Sequence, residues 1–486
     1  MFQILKIAWR NLWRNKRRTI ITIASIYFAT LIAILTRAFQ LGYYNYAINS
    51  LIEHYSGHIQ IQQKDYFRNP SINNLMPYSS ELYNILFNDR QIKFFTPRLQ
   101  NNALLWANGH STIGLILGVN PVKENQISDL KDKIAHYKID SLTLKKLKPK
   151  IPSNLFALLK KNLTGYYTDA ADLEKNFLSL SKDFKPFLKL IECYSGIKGR
   201  YIHAYENAVV IGSGLADKLH LSVGDSLVVI SQGYHGASAV GKFPVVGILH
   251  FPNPQFNNMF VYMPLSSAQS LFSAFTYDKS GNPVGLVSYV TINTIYKASI
   301  NPADYLMIKR VINDLRRKIN NPDINILGWH QLNKQMYQEI MTDNVGGLLM
   351  LLILFVIIGI GVFGTVLMMT LERKKEFGIL LAIGMSRAKL INMLLWEMLL
   401  ITLLSIFLAI ITSLPIVIYG HSHPIFLGAK YAKAFAMFNL QPIMPLASPG
   451  LYMIVQPLII FLIIMLTVIY PVLFLSKLKV TKALHD

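Results

Sequence analysis

The 486-residue chain has a single cysteine, Cys193, so an intramolecular disulfide scaffold is excluded; Cys193 reads as a small apolar filler. Charge is also scarce, at 15% of residues, where soluble domains carry about a quarter. Acid is the scarcer sign, with 26 Asp and Glu against 48 Lys and Arg. No serine or cysteine has the context of a nucleophile. The closest histidine pair, His421 and His423, lacks a nearby carboxylate or third ligand, so no metal site is expected. "GASAVGKF" (236–243) has Phe243 where a phosphate loop needs Ser or Thr, and a strand led by Pro244 follows where a helix is required. No enzyme activity and no nucleotide site are therefore expected in this chain. "Asn162-Leu163-Thr164" matches a glycosylation acceptor, which matters only in a eukaryotic secretory chain.

What is abundant is hydrophobicity: 52% of residues, with mean hydropathy +0.34. Four uncharged or nearly uncharged runs have the length of a bilayer span. Thr19–Thr36 lies between Arg18 and Arg37, and Arg37 can snorkel to an interface. Val345–Leu371 is rich in Gly and Leu. Leu390–Tyr419 contains Glu397, and Gly450–Leu475 contains Pro457 and Pro471. The run behind Lys6, Arg10, Arg14, Lys16, Arg17 and Arg18 has no small-x-small cleavage site, so it reads as an uncleaved anchor.

Lysine and arginine fix the expected orientation. Residues 1–18 carry six positive charges and no acid. Residues 372–389 carry Arg373, Lys374, Lys375, Arg387 and Lys389 against Glu372 and Glu376, and the tail carries Lys477, Lys479 and Lys482. A four-span topology puts all three on one side, the cytoplasmic one. The basic excess is thus partly a topology signal, and no nucleic-acid partner is expected.

The expected organisation is a cytoplasmic interfacial helix (1–18), spans at 19–42, 344–371, 390–420 and 450–476, a cytoplasmic helix (372–389), a short external loop (421–449) and a cytoplasmic tail (477–486). The fold class is an α-helical integral membrane protein with a large extracytoplasmic mixed α/β domain (43–343) between spans one and two. "GHIQIQ", "STIGLILGVNP", "KFPVVGILHF", "NMFVYMPL" and Val290–Ile295 read as strands, and in the β-rich "NAVVIGSGLADKLHLSVGDSLVVI" Gly224-Asp225 marks a turn between a short helix and a Val-rich strand. Asn301–Lys318 reads as an amphipathic helix, and Tyr43–Tyr55 and Trp329–Asn344 as a helical stalk. Residues 123–200, with apolar residues at helical spacing and many lysines, read as a helical insertion, either a solvated decoration of the domain or a basic surface for a partner or anionic lipid headgroups.

The segment between spans two and three, "ERKKEFGILLAIGMSR", reads as helix, corner, helix. Gly384 suits a left-handed helix stop, and Ser386 the N-cap of the third span. The segment resembles the coupling segment of MacB/FtsX-type ABC transporter permeases through Glu372, Arg373, Glu376, Gly378, Ala382, Gly384 and Ser386. "WRNLWRNKRRT", "GHIQIQ", "TPRL", "IGSGLADKLHLSVGD" and the tail "YPVLFLSKLKVTKALHD" are similar to further family motifs, most like the lipoprotein-releasing branch.

The resemblance implies a permease subunit without its own ATP site. A separate ABC ATPase carries ATP and magnesium, and a second permease copy or paralogue completes the complex. Glycines 346, 347, 359, 361 and 364 suit close helix contact there. The ATPase is expected to contact Glu372, Arg373, Lys374, Glu376, Gly378, Gly384, Ser386 and Arg387, with Phe377 and Leu380 packing into its groove. The implied work is lipoprotein release from a bacterial inner membrane, both termini being cytoplasmic. Efflux of amphiphiles or peptides in the MacB manner and control of cell-wall hydrolases in the FtsX manner are the alternatives. In proteobacterial relatives a hairpin at Ser231–Lys242 recruits a lipoprotein chaperone. Here its tip, Gly233, Tyr234, His235 and Gly236, is short, glycine-rich and without proline.

Overall fold

The computed structural model describes residues 9–478 apart from 11, 15, 163–164, 179–185, 252–253, 279 and 428–442. The tail lysines 479 and 482 and most of the glycosylation triplet lie outside these residues. The chain divides into two compact units, one built from residues 1–46, 335–427 and 443–486, the other centred on 47–334.

The first unit contains helices α1 (Lys16–Ile48), α2 (Lys334–Glu372), α3 (Lys374–Ala382), α4 (Arg387–Ser422), α5 (Tyr452–Thr467) and α6 (Ile469–Ser476). α1, α2, α4 and the stretch Tyr452–Ser476 are each long and apolar enough to cross a membrane. Pro415 and Pro457 sit inside α4 and α5. Bundle contacts are made by small and polar residues as well as by leucine. A Cβ on Gly347 would meet the Gln40 amide at 1.5 Å, so this glycine brings α1 and α2 together. Gly359 faces Ile463, whereas Gly346, Gly361 and Gly364 face open space. Arg37 donates to the Asn344 side chain at 2.8 Å, and the Tyr44 hydroxyl donates to Asp343 at 2.5 Å. Arg37 thus has a partner on α2. His421 bonds the Leu446 carbonyl at 2.9 Å and His423 stacks on Tyr419. No cluster of three metal-ligating side chains occurs among the described residues.

The second unit is built on a nine-stranded sheet. Its strands are β1 (Ile59–Gln63), β2 (Ile92–Ala107), β3 (His110–Val119), β4 (Val209–Gly212), β5 (Ser226–Gln232), β6 (Ser238–Leu249), β7 (Phe260–Pro264), β8 (Tyr289–Thr294) and β9 (Ile324–Gly328). Their order is β9-β1-β8-β2-β3-β7-β4-β6-β5, and β5 also pairs with β2. Six strands therefore close into a ring around Leu99, Leu105, Ile116, Val209, Ile211, Val229, Phe243 and Val261. Burying each such side chain contributes about 1.5–3 kcal/mol. Gly236 to Phe243, the apparent phosphate loop, runs from the hairpin turn into β6, with no helix behind it.

"GHIQIQ" alternates as a half-wet strand would, yet β1 is buried on both faces except at its end. It lies centrally between β9 and β8, and the Gln60 amide is satisfied by the Ser56 carbonyl at 2.8 Å. α1 runs on into a π-helix, Asn49–Ser56. Arg98, 1% exposed, receives the end of this run: it donates to the Tyr55 carbonyl, to Ser128, and to both oxygens of Glu124, at 2.9 and 2.7 Å. Burial works against the Arg98 charge, but Glu124 outweighs it and holds the guanidinium pKa above its ordinary value. The two chain crossings are also joined, Asn333 to Ser56 at 3.1 Å and the Trp329 N–H to the His58 carbonyl at 2.9 Å.

The expected insertion is smaller than 123–200 and is not purely helical. Glu124 and Ser128, on the helix Pro121–Ser128, serve Arg98, and Ala135 packs in the main core. From about Tyr137 the chain forms a strand pair, Tyr137–Ile139 with Gly165–Tyr167, and helices packed around Ile139, Leu144, Leu147, Leu155, Leu159 and Ile191. Cys193 is exposed rather than apolar filler, because its helix Leu188–Ser195 buries Leu188, Ile191 and Ser195.

Breaking one side of a buried ion pair costs about 3–5 kcal/mol, while replacing both sides by apolar groups can be neutral. Arg98→Met or Glu124→Leu alone is expected to lower the thermal midpoint of the purified chain, and the double variant to recover most of it. Singles matching the wild type would show that the pair is not a structural joint.

Candidate functional site

α2 ends at Glu372, and Arg373 leaves helical geometry at φ −90°, ψ 9°. α3 then runs for nine residues and stops at Gly384, whose φ is +100°. The Gly384 and Met385 N–H groups donate to Leu381 and Leu380 carbonyls at 3.1 and 3.0 Å, so the glycine stop satisfies the orphan acceptors of the helix end. A Cβ at 384 would meet nothing within 4 Å. The requirement is therefore for backbone conformation, not space. Ser386 occupies the N-cap of α4 with extended backbone, but its hydroxyl makes no cap bond. Its carbonyl takes the Lys389 and Leu390 N–H groups instead, which corrects the expected side-chain cap.

An ionic network fixes this corner. Arg18 pairs with Glu372 and Arg14 with Glu376. Arg373 reaches Glu376 at 3.3 Å and Glu397 at 2.7 Å, and its guanidinium lies 5.0 Å from the centre of the Phe377 ring. Glu397 is 1% exposed. Arg387 donates to the Ser476 and Leu478 carbonyls at 3.1 and 3.3 Å, placing a cation at the C-terminal end of α6. A cavity of about 320 Å³ is lined by Leu12, Arg14, Arg18, Met369, Arg373 and Glu397.

At Glu376, partial burial raises the pKa, but hydrogen bonds and charge from Arg14 and Arg373 outweigh it and hold the carboxyl below its usual value. The Arg18 hydrogen bond, with its charge, lowers that of Glu372.

The network turns several expected contact residues inward. Phe377 is fully buried and packs in the same cluster as Leu12, Met369, Leu390 and Met393, with Leu380 against it. Phe377 supports α3 from behind, which corrects its expected placement in a partner groove, whereas Leu380 stays half-buried. Gly378 is buried and Lys374 half-buried, while Lys375, Ser386, Arg387 and Lys389 are exposed. The apolar side chains that face outward are Ile379 and Ile383, 49% and 80% exposed. The pairing of Glu397 with Arg373, and of the acids with Arg14 and Arg18, was missed in the sequence. The available signal was an acid inside an apolar run, which demands a cation.

The hairpin tip does not protrude freely. The Tyr234 N–H donates to the Phe272 carbonyl at 2.7 Å and the His235 N–H to Asn73 at 2.9 Å. A Cβ on Gly233 would meet the Phe272 carbonyl at 2.6 Å, and Gly236 closes the turn at φ +83°. A different surface is exposed beside it. Ile113, Leu104, Ile230 and Val240 lie in cross-strand register on β3, β2, β5 and β6, with Trp106 next to them.

Residues 348–480 match the FtsX-like permease C-terminal family, and residues 181–303 the MacB-like periplasmic core domain. The chain carries an FtsX-like permease domain and a MacB-like core domain. The "uncharacterized ABC transporter permease YclI" of Bacillus subtilis (strain 168) is 28% identical over 218 residues, 43% of this chain and 42% of that protein. The chain thus spans less than half the length of this curated relative. Among solved structures, the periplasmic region of MacB from Actinobacillus actinomycetemcomitans superimposes with TM-score 0.30 at 11% identity, over 60% of this chain and 95% of that one. The extracellular domain of the noncanonic ABC-type transporter YknZ from Gram-positive bacteria gives 0.27 at 12%, over 56% and 100%. The FtsX-like region contains the whole corner, and residues 123–180 fall in neither matched region.

In this FtsX-like domain, Glu397→Gln leaves Arg373 without its buried carboxylate. It should destabilise the corner by about 3 kcal/mol or more, read as faster proteolysis within 372–389; an unchanged cleavage pattern would contradict the network. Because the Glu376 pKa is lowered by folding, its contribution is complete above the ordinary carboxylate range. It is lost as pH falls through the lowered value. Proteolysis of the corner with an acid-active protease should therefore accelerate on acidification below that range, and Glu376→Gln should remove most of this dependence.

Proposed function

We propose that the chain is the permease subunit of an ABC transporter and that α3 is where a separate ATPase engages it. ATP and magnesium belong to that ATPase. The 372–389 corner, residues 1–18 and the tail face the cytoplasm, and the β-ring domain works on the other side of a bacterial cytoplasmic membrane, with a second permease copy or paralogue beside this one. The observation that carries this reading is the corner itself. A nine-residue helix is stopped by Gly384 and tied through Glu376 to Arg14 and through its N-cap Arg373 to Glu397 of α4, while the corner presents Lys375, Ile379, Ile383 and Lys389 outward. A helix held in this way transmits a push; a loose positive-inside loop would absorb it.

For the substrate, we favour a lipid-bearing protein. The exposed row Ile113, Leu104, Ile230 and Val240 with Trp106 supports an apolar cargo, and the resemblance to lipoprotein-releasing permeases supports the protein part. With the hairpin tip pinned, this row is the apolar surface of the ring offered to a lipoprotein or its chaperone.

Gly384→Pro imposes φ near −65° and removes the N–H donated to Leu381. In membranes containing the partner ATPase, this variant is expected to insert normally but to lose about tenfold or more of substrate-stimulated ATP hydrolysis, a barrier change of about 1.4 kcal/mol. Ile379→Asp should act alike, whereas Ile113→Asp should spare basal hydrolysis and lose stimulation by substrate. Full coupling in Gly384→Pro would overturn the role of α3.

A further inference from the structure

The small layer from about Tyr137 to Ser195 has its own core and separates its charges. Between residues 141 and 162 there are six lysines, 145, 146, 148, 150, 160 and 161, and no acid. Asp169, Asp172 and Glu174 follow on the next strand-to-helix segment. In the helix Ser141–Leu147, Thr143, Leu144 and Leu147 are buried, and Asp140 caps the start through the Thr143 N–H at 2.8 Å. That leaves Leu142, Lys145 and Lys146 on the opposite face, three and four residues apart. Leu142 is 69% exposed, and Lys145, Lys146, Lys148 and Lys160 are exposed without an acidic partner among the described residues. Lys150 is held against the Tyr194 ring, 4.5 Å from its centre.

We infer that this face is a docking surface for an anionic lipid headgroup layer. An acid-free group of lysines attracts any polyanion. The exposed leucine amid them selects the lipid interface, because a soluble polyanion offers nothing to bury it in. Lysines beside an anionic bilayer add their attractions, and the layer's own core presents them on a fixed helix and turn. The surface is separate from the 372–389 corner and does not depend on the reading given to that corner.

The test uses the full chain, with its apolar helices covered by amphipol, in flotation with phosphatidylcholine vesicles with and without phosphatidylglycerol. Polyphosphate serves as the soluble polyanion. The wild type should float with the phosphatidylglycerol vesicles and lose this in high salt. The triple variant Lys145→Gln, Lys146→Gln, Lys148→Gln should bind at least about tenfold more weakly, with an unchanged thermal midpoint. Leu142→Ser should weaken vesicle binding several-fold and leave polyphosphate binding unchanged. Equal flotation of wild type and triple variant would overturn the proposal. So would a Leu142→Ser variant that floats like the wild type, which would assign the surface to soluble polyanions.

Discussion

The contact between Arg373 and Glu397 governs the permease domain. A carboxylate inside an apolar helix is expensive unless a cation meets it, and here Arg373, at the break between α2 and α3, meets it. Meeting Glu397 at 2.7 Å places Arg373 over Phe377 and within reach of Glu376. Phe377 then fills the core between Leu12, Met369 and Met393. Once that side of α3 is committed inward, Ile379 and Ile383 must face outward. A single ion pair thus decides which face of the short helix is available.

The β-ring domain uses the same device for a different purpose. Arg98 and Glu124 are both buried, and the guanidinium also takes the Tyr55 carbonyl at the end of the π-helix that continues α1. Beside it, Ser56 meets Asn333 and His58 meets Trp329. The places where the chain enters and leaves the domain are therefore joined to each other and to the sheet. Burial keeps His58 neutral, pushing its pKa down to about 4 with help from Lys93. A lone arginine with one carbonyl would be a poor joint; paired twice to Glu124 it is a stiff one.

Local signals made much of this legible. Four apolar runs are visible because a bilayer-length helix needs consecutive hydrophobic residues. Gly384 is visible because a left-handed stop favours glycine, and the strands of the ring are visible from their Val and Ile content. What stayed hidden depends on contacts between distant residues. Arg373 read as a partner contact because nothing near it in sequence reveals Glu397. Phe377 read as outward because a nine-residue helix has no long periodicity to orient it. The polar–apolar alternation of GHIQIQ does not show that Gln60 and Gln62 are buried in a strand paired on both sides. The partner of Arg98 was hidden, since Glu124 lies 26 positions away in a segment that resembled the start of the insertion. Ring closure through β2 and β5 could not be read from strand patterns, which do not specify pairing.

The central claim, that α3 offers a partner ATPase its Ile379 and Ile383 face while Phe377 supports it from within, is tested most directly by site-specific photocrosslinking. A photoreactive residue would be placed in turn at 379, 383 and 377 in membranes containing the complex. Strong crosslinks to the ATPase that change on ATP binding are expected from 379 and 383, and from 377 only crosslinks within this chain. A crosslink to the ATPase from 377, or none from 379 and 383, would contradict the claim.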